Sequence, residues 1–198
     1  MPDLCLAFDT SAAHCAAALV FGDTVLAAKQ EEMSRGQAER LFPLIEDVLS
    51  DAGRNLSDLD VIGVGTGPGN FTGIRIAVAA ARGLALSLRI PAIGVGSCEA
   101  LAFGQARPCR VVVPARGDEV IWQDFIDGKD THPAMSPAKA LPAGPAPLTE
   151  SVPIAVGIAR LALLRRATPQ PRPAPIYLRP ADAAPARDRG PVILTGGA

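Results

Sequence analysis

A loop running Thr66-Gly67-Pro68-Gly69-Asn70-Phe71-Thr72-Gly73, between a predicted strand and a predicted helix, is the segment of this 198-residue chain best suited to hold an anion. A glycine-rich turn lets backbone N–H groups face a phosphate, and the N-terminus of the next helix adds a favourable partial charge. The loop lacks both the Lys-Ser/Thr ending of a Walker loop and G-x-G-x-x-G spacing, so a tight structural turn is the stronger local reading and phosphate binding the weaker. Histidine chemistry has little to draw on. His14 and His132 belong to no H-E-x-x-H motif and no i, i+4 ligand pair, and no G-x-S-x-G elbow occurs. The expected catalytic and metal-ligand sets are therefore empty. Cys5, Cys15, Cys98 and Cys109 lie among apolar neighbours without C-x-x-C spacing, which predicts reduced thiols acting as small hydrophobes.

The elements that must position these residues follow from periodicity and turn chemistry. Leu4 to Phe8 reads as a buried strand, and His14 to Phe21 with Thr24 to Gln30 as a hairpin about Gly22-Asp23. Ser34 to Gln37 has capping-box spacing ahead of Leu41, Leu44, Ile45, Val48 and Leu49, which recur at i, i+3, i+4, i+7 and i+8. A strand over Leu59 to Gly65 leads into the glycine-rich loop, with Thr72 as the expected N-cap of a second helix. That helix carries Gly73, Ala77, Ala80, Ala81 and Leu84 on one face, where another element could approach closely, either within this chain or from a partner. A short strand at Ile90 to Val95 and a helix capped by Ser97 and running through Gln105 complete the first half. Beyond them the pattern predicts a hairpin of Cys109 to Val113 with Glu119 to Ile126, a Pro/Ala-rich loop over 132–148, and a helix from Ile154 to Leu164.

Composition sets the limits. With 48% apolar residues and a net charge of −1, the chain can bury a substantial core and lacks the charge imbalance of a nucleic-acid-coating protein. No uninterrupted apolar run reaches membrane-spanning length, and Met1-Pro2-Asp3 lacks signal-peptide features, which predicts a soluble cytoplasmic protein with no membrane contact. Residues 1–107 hold 8 basic and 12 acidic residues with 4 prolines; residues 108–198 hold 11 and 8 with 15 prolines. That shift predicts two units, 1–107 and 108–198, the first a complete α/β layer and the second smaller. Arg160, Arg165, Arg166, Arg172, Arg179, Arg187 and Arg189 give the second a basic end, read as helix-end charge and solvated tail in preference to a nucleic-acid contact.

Several segments together resemble one family. Leu6-Ala7-Phe8-Asp9-Thr10-Ser11, Arg40-Leu41-Phe42-Pro43-Leu44-Ile45 and above all Gly67-Pro68-Gly69-Asn70-Phe71-Thr72-Gly73-Ile74-Arg75 are similar to the bacterial TsaB (YeaZ) family. Gly83-Leu84-Ala85-Leu86, Arg116 with Glu119-Val120 and Trp122, and Pro175-Ile176-Tyr177-Leu178-Arg179 continue the match in order. The resemblance implies an actin-like or Hsp70-like (ribonuclease H-like) α/β fold: a mixed sheet flanked by helices, with a smaller degenerate second domain. It implies a non-catalytic subunit pairing with TsaD, the catalytic paralogue, with TsaE as ATPase, in the transfer of threonylcarbamoyl to the adenosine beside certain tRNA anticodons. ATP and a metal would belong to those partners, with no cofactor held tightly by this chain, and tRNA would be met through the complex. The helices over 35–52 and 72–88 would form the pairing face, through Leu41, Leu44, Ile45 and Val48 on the first and Gly73, Ala77, Ala80, Ala81 and Leu84 on the second.

Gly67, Pro68, Gly69, Phe71, Thr72, Gly73 and Arg75 would be the family-motif loop. Asp9, Thr10 and Ser11 resemble the first phosphate loop of the actin, sugar kinase and Hsp70 superfamily, without the glycine that usually separates acid from hydroxyl. Gln37 and Pro114 also depart from the family's usual His and Asp, and 132–148 is short. An ATP-binding enzyme of the same superfamily is the alternative, a peptidase a more distant one, and a homodimer stays open for the isolated chain.

Overall fold

The computed structural model describes residues 3–178. Its first sheet has five strands in the order β3-β2-β1-β4-β5: β1 Leu4–Asp9, β2 His14–Phe21, β3 Thr24–Glu32, β4 Val61–Gly65 and β5 Ala92–Val95. β1 to β3 form an antiparallel meander, and β4 and β5 add parallel to β1. This is the mixed α/β sheet that the sequence predicts, with the hairpin about Gly22-Asp23.

Alternation along the central strands assigns the two faces. Leu4, Leu6 and Phe8 of β1, with Cys15, Ala17 and Leu19 of β2, join Leu41, Leu44, Ile45 and Val48 in one core. These last come from α1 (Gln37–Asp51), and Ile74, Ala77, Val78 and Ala81 of α2 (Phe71–Leu88) complete it. Cys5, Ala7, Ala16, Ala18 and Val20 point the other way, onto α4 (Ile154–Arg165). Alanine on that face lets α4 come close, and Gly63 of β4 lets it come closer: a Cβ there would sit 3.0 Å from Ile158 and 3.1 Å from Ala162.

α4 follows the composition boundary in sequence, yet it supplies the second face of the first sheet. The expectation that residues 1–107 form a complete layer is corrected accordingly. Ile154, Ala155, Val156, Ile158, Ala159 and Ala162 are all buried, because α4 packs on the sheet and also meets α3 (Ser97–Leu101) through Gly157. The second sheet is antiparallel β6-β7-β8: Cys109–Pro114, Glu119–Phe125 and Ala134–Pro137. β8 and a 3-10 turn at Ala138–Ala140 replace the plain loop expected there.

Capping differs from expectation in three places. α1 starts from Gly36 in the left-handed region (φ 88°) with no side-chain cap, so the Ser34 box does not form; Gln37 Nε2 instead donates to the Met33 carbonyl at 3.1 Å. α2 is capped by Asn70, whose Oδ1 accepts from Gly73 N–H at 3.1 Å, and Thr72 lies inside the helix. α3 follows Gly96 and ends at Leu101, short of Gln105. On the outer side, Arg40 bridges Glu31 of β3 and Asp47 of α1 at 2.6 Å each, which holds both carboxyls below their ordinary range. The four cysteines are free and buried, with burial raising the Cys5 and Cys98 thiols to about 12.

Candidate functional site

The Asp9-Thr10-Ser11 turn and the Gly67 to Gly73 loop meet at the C-terminal ends of β1 and β4. In a parallel sheet this is where ligands are usually held. Here the two segments fill the space between them. Ser11 O accepts from Asn70 N–H at 2.6 Å, and Thr10 Oγ1 donates to the Gly73 carbonyl at 2.7 Å. A Cβ at Gly69 would lie 2.2 Å from Ser11 O, and one at Gly73 would lie 1.8 Å from Thr10 O. Backbone touches backbone at both glycines.

The polar groups around Asp9 are likewise engaged. Its buried carboxylate accepts from Ser11 N–H at 3.0 Å and from Ser11 Oγ at 2.6 Å. Ser97 adds a hydroxyl contact to Ser11 Oγ at 3.1 Å, while its N–H donates to the Gly67 carbonyl at 2.8 Å. Gly65 is required beneath this group, since a Cβ there would stand 2.7 Å from the Asp9 carboxyl carbon. His14 Nε2 is 3.8 Å from Asp9 Oδ1 and has no hydrogen bond. Among the described residues no group of three or more His, Cys, Asp or Glu side chains is placed to hold a metal.

Gly67 takes φ 85°, and the Gly67–Pro68 peptide is cis. The segment 173–178 crosses the outside of this loop. Ile176 N–H donates to Thr66 O at 2.8 Å, and Pro173 packs 3.4 Å from where a Gly94 Cβ would be. Tyr177 then stacks on Phe71, the first residue of α2.

The expected pairing residues are distributed differently. Leu41, Leu44, Ile45 and Val48 face the chain's own sheet, as do Gly73, Ala77 and Ala81, so the helical periodicity marked the inner faces of α1 and α2. That assignment is corrected: these side chains are unavailable to another chain. Ala80 and Leu84 are half-buried against the same core. The outer faces carry Phe42 on α1, which is 46% exposed, and Arg75, Ala79, Arg82, Gly83 and Leu86 on α2, with Leu86 83% exposed. α2 is long and apolar enough by length and composition to cross a membrane, but its inner face is seated on β4 and β1 and its outer face bears two arginines.

Three groups of functional interest escaped the sequence reading. Ser97 was expected only as the cap of the third helix, and its contact with Ser11 gave no signal; Asn70 could have been found from its place three residues before Gly73. The third is Arg110 with Asp124, whose side chains are only 4% and 9% exposed. Charged residues inside the apolar runs of β6 and β7 were the available cue. Of the basic C-terminal set, Arg160, Arg165 and Arg166 pair with Asp23, Glu99 and Asp3, which neutralises much of that patch. Arg179, Arg187 and Arg189 lie outside the described residues.

Comparison with known proteins gives a consistent set of relatives. The model of the TsaD family, described as tRNA N6-adenosine threonylcarbamoyltransferase, matches residues 25–173. The Escherichia coli (strain K12) tRNA threonylcarbamoyladenosine biosynthesis protein TsaB is 37% identical over 144 residues, covering 67% of this chain and 62% of that protein. The chain thus spans less than two thirds of that relative's length. An uncharacterised Mycobacterium tuberculosis (strain H37Rv) protein is 34% identical over 197 residues, covering 91% and 93%. Among solved structures, YeaZ from Pseudomonas aeruginosa superposes with a TM-score of 0.71 at 29% identity, covering 89% of this chain and all of that one.

Proposed function

This chain belongs to the TsaB (YeaZ) family, and we propose that it serves tRNA threonylcarbamoyladenosine biosynthesis as a non-catalytic subunit pairing with TsaD. The observation that carries the pairing is Gly83. It sits inside α2 on the exposed side, where a Cβ would meet nothing within 4 Å among the described residues, so no contact among them calls for a glycine. A helix-interior glycine costs about 1 kcal/mol relative to alanine. Close approach by another helix accounts for it. Ala79 precedes it by one turn, and Leu86 follows with its side chain in solvent. With Phe42 on neighbouring α1, the outer helical face offers small residues flanked by large apolar ones, a surface suited to helix packing.

The pairing is tested on the exposed face of α2. Tryptophan at buried Ala77 or Ala81 would disturb the chain's own core, whereas tryptophan at Gly83 projects into open space. Gly83→Trp and Leu86→Asp are expected to fold as the wild type by circular dichroism and to lose TsaD in a pull-down. They should also lose threonylcarbamoyladenosine formation in a mixture with TsaD, TsaE, tRNA and the threonylcarbamoyl donor. Gly83→Ala should raise the stability of the free chain by about 0.5–1 kcal/mol. Folded Gly83→Trp that still pairs fully would place the interface elsewhere.

The superfamily alternative, an ATP-binding enzyme, is disfavoured by the close contacts between Asp9–Ser11 and Gly67–Gly73, which leave little space between the two segments. We expect calorimetry of the isolated chain to detect no ATP binding in the low-micromolar range, equivalent to about −8 kcal/mol. A dissociation constant in that range would favour the enzyme reading.

A further inference from the structure

We propose that the column formed by Tyr177, Phe71 and Arg75 is a stacking platform for an unpaired RNA base, with Arg75 taking an adjoining phosphate. The inference rests on the tRNA reading above and names a surface of this chain that would meet the nucleic acid. Phe71 opens α2, and Arg75 stands one turn further along on the exposed side. The Phe71 and Tyr177 rings stack with centroids 4.7 Å apart and planes 30° apart, and the Arg75 guanidinium carbon lies 5.1 Å from the Phe71 centroid. Tyr177 nevertheless remains 42% exposed.

The backbone on both sides of that ring is fixed. Ile176 N–H is bonded to Thr66 O, and Leu178 packs against the cluster of Cys98, Cys109, Val111, Ile121 and Phe125. An aromatic ring already held in place loses little freedom when a base stacks on it.

Charge points the same way. Among the described residues neither Arg75 nor Arg82 pairs with a carboxylate, and the first turn of α2 contains no acid, whereas Arg160, Arg165 and Arg166 are each matched by one. An anchored, exposed aromatic beside an unneutralised guanidinium is the chemistry of sequence-tolerant single-strand binding, because every base offers a π-face and every nucleotide a phosphate. A protein contact would favour the small and apolar composition found further along the helix, at Ala79, Gly83 and Leu86. The aromatic column stands only at the N-terminal end of α2, whereas the small and apolar residues, with Arg82 among them, lie further along, so the two ends suit different occupants.

The test titrates the full chain, alone and in complex with TsaD, against a fluorescently labelled single-stranded RNA of about ten nucleotides. Tyr177→Ala is expected to weaken binding about tenfold or more at an unchanged melting temperature, whereas Tyr177→Phe, which keeps the ring, binds as the wild type. Arg75→Ala should reduce the slope of log affinity against log salt by about 0.7, the contribution of one phosphate in a single strand. No detectable RNA binding by the wild-type chain or its complex overturns the proposal, as does unchanged affinity in Tyr177→Ala. Loss of TsaD pairing in Tyr177→Ala also overturns it, since the column would then be a protein contact. Gly83→Trp separates the two readings: the platform predicts wild-type RNA affinity for that free chain whether or not it pairs.

Discussion

Gly73→Ala is expected to destabilise the protein by about 3 kcal/mol, near the top of what overpacking usually costs. The added methyl would stand 1.8 Å from the Thr10 carbonyl oxygen and 2.9 Å from its carbon. Neither is the tip of a mobile side chain that could swing aside. Thr10 follows the central strand directly, and its hydroxyl is bonded to the Gly73 carbonyl, so relief requires separating α2 from the end of β1. That separation would also break the bond from Asn70 N–H to Ser11 O. For a chain of this size the melting temperature should fall by about 6–12 °C, measured by circular dichroism. Gly83→Ala, on the same helix, is the control and should move the other way. A Gly73→Ala melt within a degree or two of the wild type would mean that the two loops are not in contact as described.

Asp124→Ala is expected to cost about 3–5 kcal/mol, because it leaves a guanidinium buried without its counter-ion. Arg110 Nε and Nη2 donate to the two Asp124 oxygens at 2.5 and 2.8 Å, and Nη1 donates to the Pro142 carbonyl at 2.6 Å. The guanidinium also lies 4.7 Å from the Trp122 ring centroid. Gly144 is pressed onto the pair, 2.0 Å from Nη2 at its would-be Cβ, so this arginine adds a second anchor for the Pro-rich segment beside the pairing of β8 with β7. Replacing both charges, as in Arg110→Met with Asp124→Leu, should recover much of the loss, since desolvating an ion pair offsets most of its attraction. Urea denaturation of the two variants decides the matter. Equal destabilisation in the single and double variants would show that the hydrogen bonds to the Pro-rich segment matter more than the unpaired charge.

Sequence patterns located most elements and misjudged what surrounds some of them. The spacing of Leu41, Leu44, Ile45 and Val48 correctly marked a buried face, but periodicity is blind to whether the covering surface belongs to the same chain or another. Gly73, Ala77 and Ala81 misled for the same reason. What identifies the outer face is an exposed glycine with no neighbour, and this requires coordinates. The Ser34 box failed because α1 begins at Gln37, from Gly36 in a left-handed conformation, two residues beyond the position where Ser34 would cap. β8 escaped because Ala134 to Pro137 has little β propensity; its pairing opposite Glu119 to Trp122 supplies what composition does not. The apolar character of α4 was legible, and most of it is burial against the first sheet and α3, with Leu164 left exposed. Composition change at Arg107 had suggested a boundary that this helix crosses.

The place of α4 in chain order has a consequence during synthesis. When the ribosome has released β1 to β5, the alanine-rich side of the sheet has nothing to rest on, because its cover is encoded roughly 60 residues later. At about 5–20 residues per second, a nascent chain holds Cys5, Ala7, Ala16, Ala18 and Val20 uncovered for several seconds. Chaperones that bind apolar segments have that interval in which to act, and any fragment stopped before Ile154 would carry the same bare surface permanently.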